Sequence, residues 1–139
     1  MTNQGDKLDM DLINRVQNAR MMHDESAMPS KVPGVYWIEA KHPNPPHPPT
    51  ARSGEFRIST TVDQVDAEWA RIKQATEKGT LGYKSKVSTS ATDGIPHSDQ
   101  RVICVRTYDA NDAEDRARIA QSLEQMGFDA STYQRDQAQ

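Results

Sequence analysis

From Glu55 to Ser59 the chain alternates without a break: Phe56 and Ile58 are apolar, while Glu55, Arg57 and Ser59 are polar. A period of two belongs to a strand with one buried face, because successive side chains point to opposite sides. The period then changes. Val62, Val65, Trp69 and Ile72 recur at helical spacing, forming one stripe on a helix that opens at a Thr61/Gln64 capping box and stops at Gly79. The same grammar returns near the C-terminus, with Asn111 and Glu114 as start signals, Ile119, Leu123 and Met126 as the stripe, and Gly127 as the stop.

Runs of β-branched and aromatic residues predict further strands over Val35–Ala40, Leu81–Thr89 and Arg101–Tyr108, and a short last one over Phe128–Tyr133. The Leu81–Thr89 and Arg101–Tyr108 strands read as a hairpin, joined by a long turn-rich connection. Leu8, Leu12, Val16 and Ala19, with Asp6 as a cap, predict a helix over residues 7–22. Five prolines between Pro43 and Pro49 remove backbone donors and make that stretch a loop.

The order is thus strand, strand, helix, strand, strand, helix, strand, which leaves no room for parallel crossovers throughout. An α+β fold follows, with an antiparallel or mixed sheet and helices on one face. A chain of 139 residues holds one ordinary domain. It is placed at 35–136, after an N-terminal segment 1–34 that is partly helical or flexible, and before a tail at 137–139.

Charge narrows the chemistry. A net charge of -3 gives no bulk attraction to nucleic acid or to an anionic membrane, so any anion binding must come from a local cluster of cations. Cys104 is the single cysteine, which excludes an internal disulfide and fits a reducing, cytoplasmic setting. The polar start and the lack of a long apolar run predict a soluble chain outside the general export route.

The local cluster is found in "GYKSKVST". Lys84, Lys86 and Ser88 share the strand face opposite Tyr83, Ser85 and Val87, and Arg57 of the neighbouring strand points the same way. Nearby cations lower a lysine's pKa and so make a neutral amine available as a base. The plain alternative is a solvated strand face, where lysines aid solubility and discourage edge pairing. His42 and His47 are too loosely spaced to specify a metal, and neither metal nor cofactor is called for. Cys104 between Ile103 and Val105 reads as a small core residue, and Trp69 as core. Trp37, beside the proline loop, is a candidate cleft wall.

The runs "YWIEAK", "GEFRIS", "VDAEWARIKQATEKGTLGYKSKVST", "RVICVRTYDANDAEDRARIAQSLEQMGF" and "YQRD" together resemble the small proteins named for a phosphothreonine lyase domain, across Val35 to Asp136. The resemblance implies a fold similar to the cap-binding initiation factor 4E, a curved and mostly antiparallel sheet backed by helices. It also implies a distant similarity to bacterial lyase effectors that remove phosphate from phosphothreonine by β-elimination. "EFRIS" and "SKVST" occupy the positions of two strands of the effector site. On that resemblance Lys86 is the base, and Lys84, Arg101 and Arg135 hold the phosphate. Arg57 stands where the effectors carry a histidine acid, which leaves His97 as the candidate acid. The implied partner is a phosphorylated peptide or another phosphate-bearing ligand. A non-catalytic nucleotide or RNA binder, with Trp37 stacking on a base, is the alternative, and a protein-interaction domain using the proline loop is a third.

Overall fold

The computed structural model describes residues 28–30, 37–89 and 99–136. The expected helix over 7–22, the first two residues of the expected first strand, and His97 lie outside the described residues. Among the described residues five strands form one sheet: β1 (Trp37–Lys41), β2 (Gly54–Thr61), β3 (Lys84–Ser88), β4 (Gln100–Thr107) and β5 (Tyr133–Arg135). Helix α1 (Val65–Glu77) follows β2, and α2 (Ala113–Gln125) follows β4. The order across the sheet is β1-β3-β4-β2-β5, and every pairing is antiparallel. The fold is α+β. Among the described residues no helix is long and apolar enough to cross a membrane.

β4 is central because its two neighbours both need a long apolar partner, and "VICV" supplies one. Register then collects the apolar positions on a single face: Ile38 lies opposite Val87, Val87 opposite Ile103, Ile103 opposite Ile58, and Val105 opposite Phe56. Val65, Trp69 and Ile72 of α1 and Ile119 and Leu123 of α2 are buried with these residues in one cluster. Trp69 is therefore core, as its place on the stripe predicts. Two hydroxyls inside this layer satisfy each other. Thr76 Oγ1 lies 2.7 Å from the Ile72 carbonyl and 2.7 Å from Ser85 Oγ, which closes the gap where α1 crosses β3.

The helix starts differ from the expected caps. Gln64 precedes α1 in a helical conformation and its side chain makes no capping bond, so there is no Thr61/Gln64 box. Instead Thr60 Oγ1 donates to Glu68 at 2.6 Å. α2 is capped by Asp112, which accepts from the Asp115 amide at 3.1 Å, and not by Asn111. Asn111 is engaged elsewhere, its Oδ1 accepting from Arg135 at 2.7 Å. The expected stops hold: Gly79 and Gly127 have φ of 82° and 91°, in the left-handed region that ends a helix at low cost only with glycine. The last strand begins at Tyr133 and not at Phe128, because Phe128 is drawn into the core under Arg71.

Candidate functional site

With both helices packed on the apolar face, alternation sends the other half of each strand to the opposite side, and register aligns those residues in rows. One row runs Glu39, Lys86, Cys104, Arg57, and a second runs Lys41, Lys84, Arg106, Glu55, Gln134. Trp37, Ser88, Val102 and Ser59 fall at the end of the sheet beyond the first row. Lys84, Lys86 and Ser88 thus share a face with Arg57, as alternation predicts. Arg57 is not on the neighbouring strand, however. β4 lies between β2 and β3, and Cys104 is the cross-strand partner of both Lys86 and Arg57.

The paired lysines do not repel across open space, because each has a carboxylate. Lys84 Nζ is 3.2 Å from Glu39 Oε1, and Lys86 Nζ is 3.9 Å from Glu55 Oε1. Lys86 also stands over Trp37, 4.3 Å from the ring centroid, so its ammonium faces the π-cloud. Glu55 is the common counter-ion: besides Lys86, it contacts Arg106 at 2.9 Å and Arg57 at 3.6 Å. The face expected to be cationic carries mixed charge, and sequence reasoning missed Glu55 although it shares the Arg57 side of the same alternating strand.

Arg106 is the best-held cation. Its Nε donates to the Tyr83 hydroxyl at 3.1 Å, Nη1 to Glu55, Nη2 to Ser53 Oγ at 3.1 Å, and both Nη groups to the Asp136 carboxylate at 2.8 and 2.5 Å. The bidentate bond to Asp136 raises the Arg106 pKa above its ordinary value, and Arg106 in turn holds the Asp136 carboxyl below the usual range. Under this layer the buried Cys104 thiol is pushed up to about 12, first by burial and then by the Glu55 carboxylate, against the smaller opposing pull of Arg57 and Lys86. A thiol so placed is protonated and a poor nucleophile.

A cleft of about 370 Å³ opens at the Trp37 end of this face. Trp37 and Val102 are its apolar walls, and Arg57, Arg101, Ser59 and Ser88 its polar ones, with Thr89 and Gln100 at the margin. Ser88 Oγ accepts from the Val102 amide at 2.8 Å. Arg101 is almost fully buried, and its Nη1 donates to the Gln100 carbonyl at 2.8 Å. Arg57 is half-exposed. Its Nη1 donates to Gln134 Oε1 at 2.8 Å and its Nε faces Glu55, while Nη2 meets no partner among the described residues.

Of the residues expected at a phosphate site, the structure brings Arg57 and Arg101 to the cleft and Lys86 against its tryptophan wall, with Lys84 one pleat away on Glu39. Arg135 is not brought there: it follows Tyr133 on the helix side of β5 and is tied to Asn111. His42 and His47 lie outside the cleft, His42 accepting from the Asn44 amide at 2.9 Å and His47 packing on Tyr108 with ring centroids 4.6 Å apart. Among the described residues no group of three or more His, Cys, Asp or Glu is placed to hold a metal ion.

The model of the family described as basophilic leukemia-expressed protein Bles03 matches residues 48–135 of the chain. The matched stretch contains β2 to β5 and both helices, and with them Arg57, Lys86 and Arg101, but not Trp37. No curated protein matches.

Proposed function

For a chain that belongs to the Bles03 family, whose description carries no activity, we propose from the cleft itself that the protein binds a phosphorylated ligand in the cytoplasm. The observation that carries this reading is the Arg57 guanidinium at the cleft, held through Nη1 by Gln134 with Nε facing Glu55, and with Nη2 unpartnered among the described residues. Guanidinium matches phosphate oxygens in geometry and charge. Ser59 and Ser88 add hydroxyls, and Trp37 and Val102 give the rest of the ligand an apolar wall. A cleft of this volume exceeds what a bare phosphate fills and lies at the small end of pockets for organic ligands, ~300–1,000 Å³. The initiation factor 4E-like architecture and the likeness to phosphothreonine lyases belong to the same proposal.

A second reading has one observation in its favour: Lys86 borders the cleft, its ammonium resting on Trp37. In a β-elimination, an amine at Lys86 would take the α-proton of a phosphothreonine. The C–H electron pair would become the Cα=Cβ bond, and the Cβ–O pair would depart with the phosphate, protonated by an acid for which His97 is the candidate. The likeness to lyases supports these roles, and Arg57 would offset the charge on the leaving group.

Incubation with a phosphothreonine peptide, followed by peptide mass and by binding, separates the readings. Loss of phosphoric acid with formation of dehydrobutyrine shows the lyase. Binding without a change of mass shows the binder, and a nucleotide panel run alongside shows whether the ligand carries a base. Absence of both binding and reaction across peptides, nucleotides and orthophosphate overturns the proposal.

A further inference from the structure

Arg57 is a strand residue with a long flexible side chain, and a half-exposed arginine spends its rotamer freedom on solvent unless something fixes it. Two groups do so here. Glu55 of its own strand faces Nε at 3.6 Å, and Gln134 of β5 accepts from Nη1 at 2.8 Å. The second contact comes from an element that otherwise contributes nothing to the cleft. β5 is three residues long and hydrogen-bonds β2 alone, with Gln134 opposite Glu55 and the Arg57 amide donating to the Thr132 carbonyl at 3.0 Å. The strand is held at its far end by Asp136, whose amide donates to the Ser53 carbonyl at 3.0 Å and whose carboxylate is clamped by Arg106.

We infer that Gln134 is a positioning residue for the cleft: its side-chain carbonyl turns the Arg57 guanidinium so that Nη2 is left to meet an anion. A neutral amide suits this task. It accepts from the guanidinium without adding a negative charge beside the site, whereas a carboxylate there would fix Arg57 equally well but oppose an anionic ligand. The inference rests on the reading of the cleft as a phosphate site, and it makes the C-terminal strand part of that site. Gln134 is exposed, so replacing it leaves the core untouched.

Two measurements on the full chain test it. Rotation of the Arg57 guanidinium about Nε–Cζ is read by nitrogen NMR without any ligand, with Arg57→Lys supplying the assignment. Affinity for orthophosphate is read by titration. Gln134→Met is expected to speed the rotation and to weaken orthophosphate binding about threefold, the low end of what one ordinary hydrogen bond contributes in water. Gln134→Glu is expected to keep the rotation slow while weakening binding through its charge. In an Arg57→Lys background, Gln134→Met is expected to change affinity no further. Equal rotation in wild type and Gln134→Met, or an equal loss of affinity with and without Arg57, overturns the inference. Failure of the wild type to bind orthophosphate, phosphopeptide or nucleotide overturns the reading of the cleft, and the rotation rates still decide whether Gln134 positions Arg57.

Discussion

Glu55 and Arg106 face each other across the antiparallel pair of β2 and β4, and their side chains meet at 2.9 Å. The contact is largely removed from water: the side chains are 10% and 13% exposed. It is also the centre of a web, because Glu55 serves Lys86 and Arg57 on one side while Arg106 serves Asp136, Ser53 and Tyr83 on the other.

Removing Arg106 therefore strands two carboxylates, one of them buried. Arg106→Ala is expected to destabilise the fold by roughly 2–3 kcal/mol, less than a fully buried broken pair because Asp136 is partly open to water. Arg106→Lys should recover only a minor part, since an ammonium cannot reproduce the two parallel bonds to Asp136. Urea unfolding midpoints check this, and a change below about 0.5 kcal/mol, the usual scatter of surface substitutions, would sink it.

Acid sensitivity follows from the same clamp. The Asp136 carboxyl is lower in the folded chain than in the unfolded one, so the folded state holds on to the charge. Its stabilising contribution is present above the unfolded carboxyl value of about 3.9 and is lost as pH falls through the folded value. Asp109, held at about 2 by its bonds to Arg52, acts in the same direction. Asp136→Asn is thus expected to flatten the acid limb of a stability-against-pH curve measured by thermal unfolding. A limb as steep as wild type would show that the clamp does not set it.

The alternation of "EFRIS" and "KSKVS" was enough to place Arg57, Lys84 and Lys86 on one face, because side-chain direction in a strand is local. Strand order is not local. Nothing within either segment says that β4 lies between them, and so neither the shared partner Cys104 nor the reach of Glu55 to both Lys86 and Arg106 was legible. The cap at α2 was misread for a related reason: Asn111 is a good capping residue by type, but Arg135, far along the chain, takes its side chain. Arg135 is expected at the phosphate on the family resemblance alone, and register places it opposite Gly54 on the helix side of β5.

Gly79 ends α1 in a conformation that no side chain adopts cheaply, and there is no room for one. A Cβ there would stand 2.7 Å from His42 Nε2. Gly79→Ala is expected to cost about 1–2 kcal/mol from the left-handed backbone alone. Displacement of His42 would appear as a shifted imidazole resonance. The two effects separate in a His42→Ala background, where the cost should fall but not vanish. Full recovery there would mean that the clash, and not the backbone, carries the penalty.

Glu55 offers the sharpest test of what the mixed-charge face is for. Glu55→Gln keeps the shape but leaves Lys86, Arg57 and part of Arg106 without their counter-ion, so stability should fall by about 1–3 kcal/mol. If the face exists to receive an anion, the same change should raise orthophosphate affinity, because the ligand then supplies the missing charge, and added phosphate should restore much of the lost thermal stability. If Glu55 only ties cations down in a structural web, phosphate will stabilise the variant no more than wild type. Thermal unfolding of both proteins across a phosphate series at constant ionic strength distinguishes the two, since general screening is then the same in every sample.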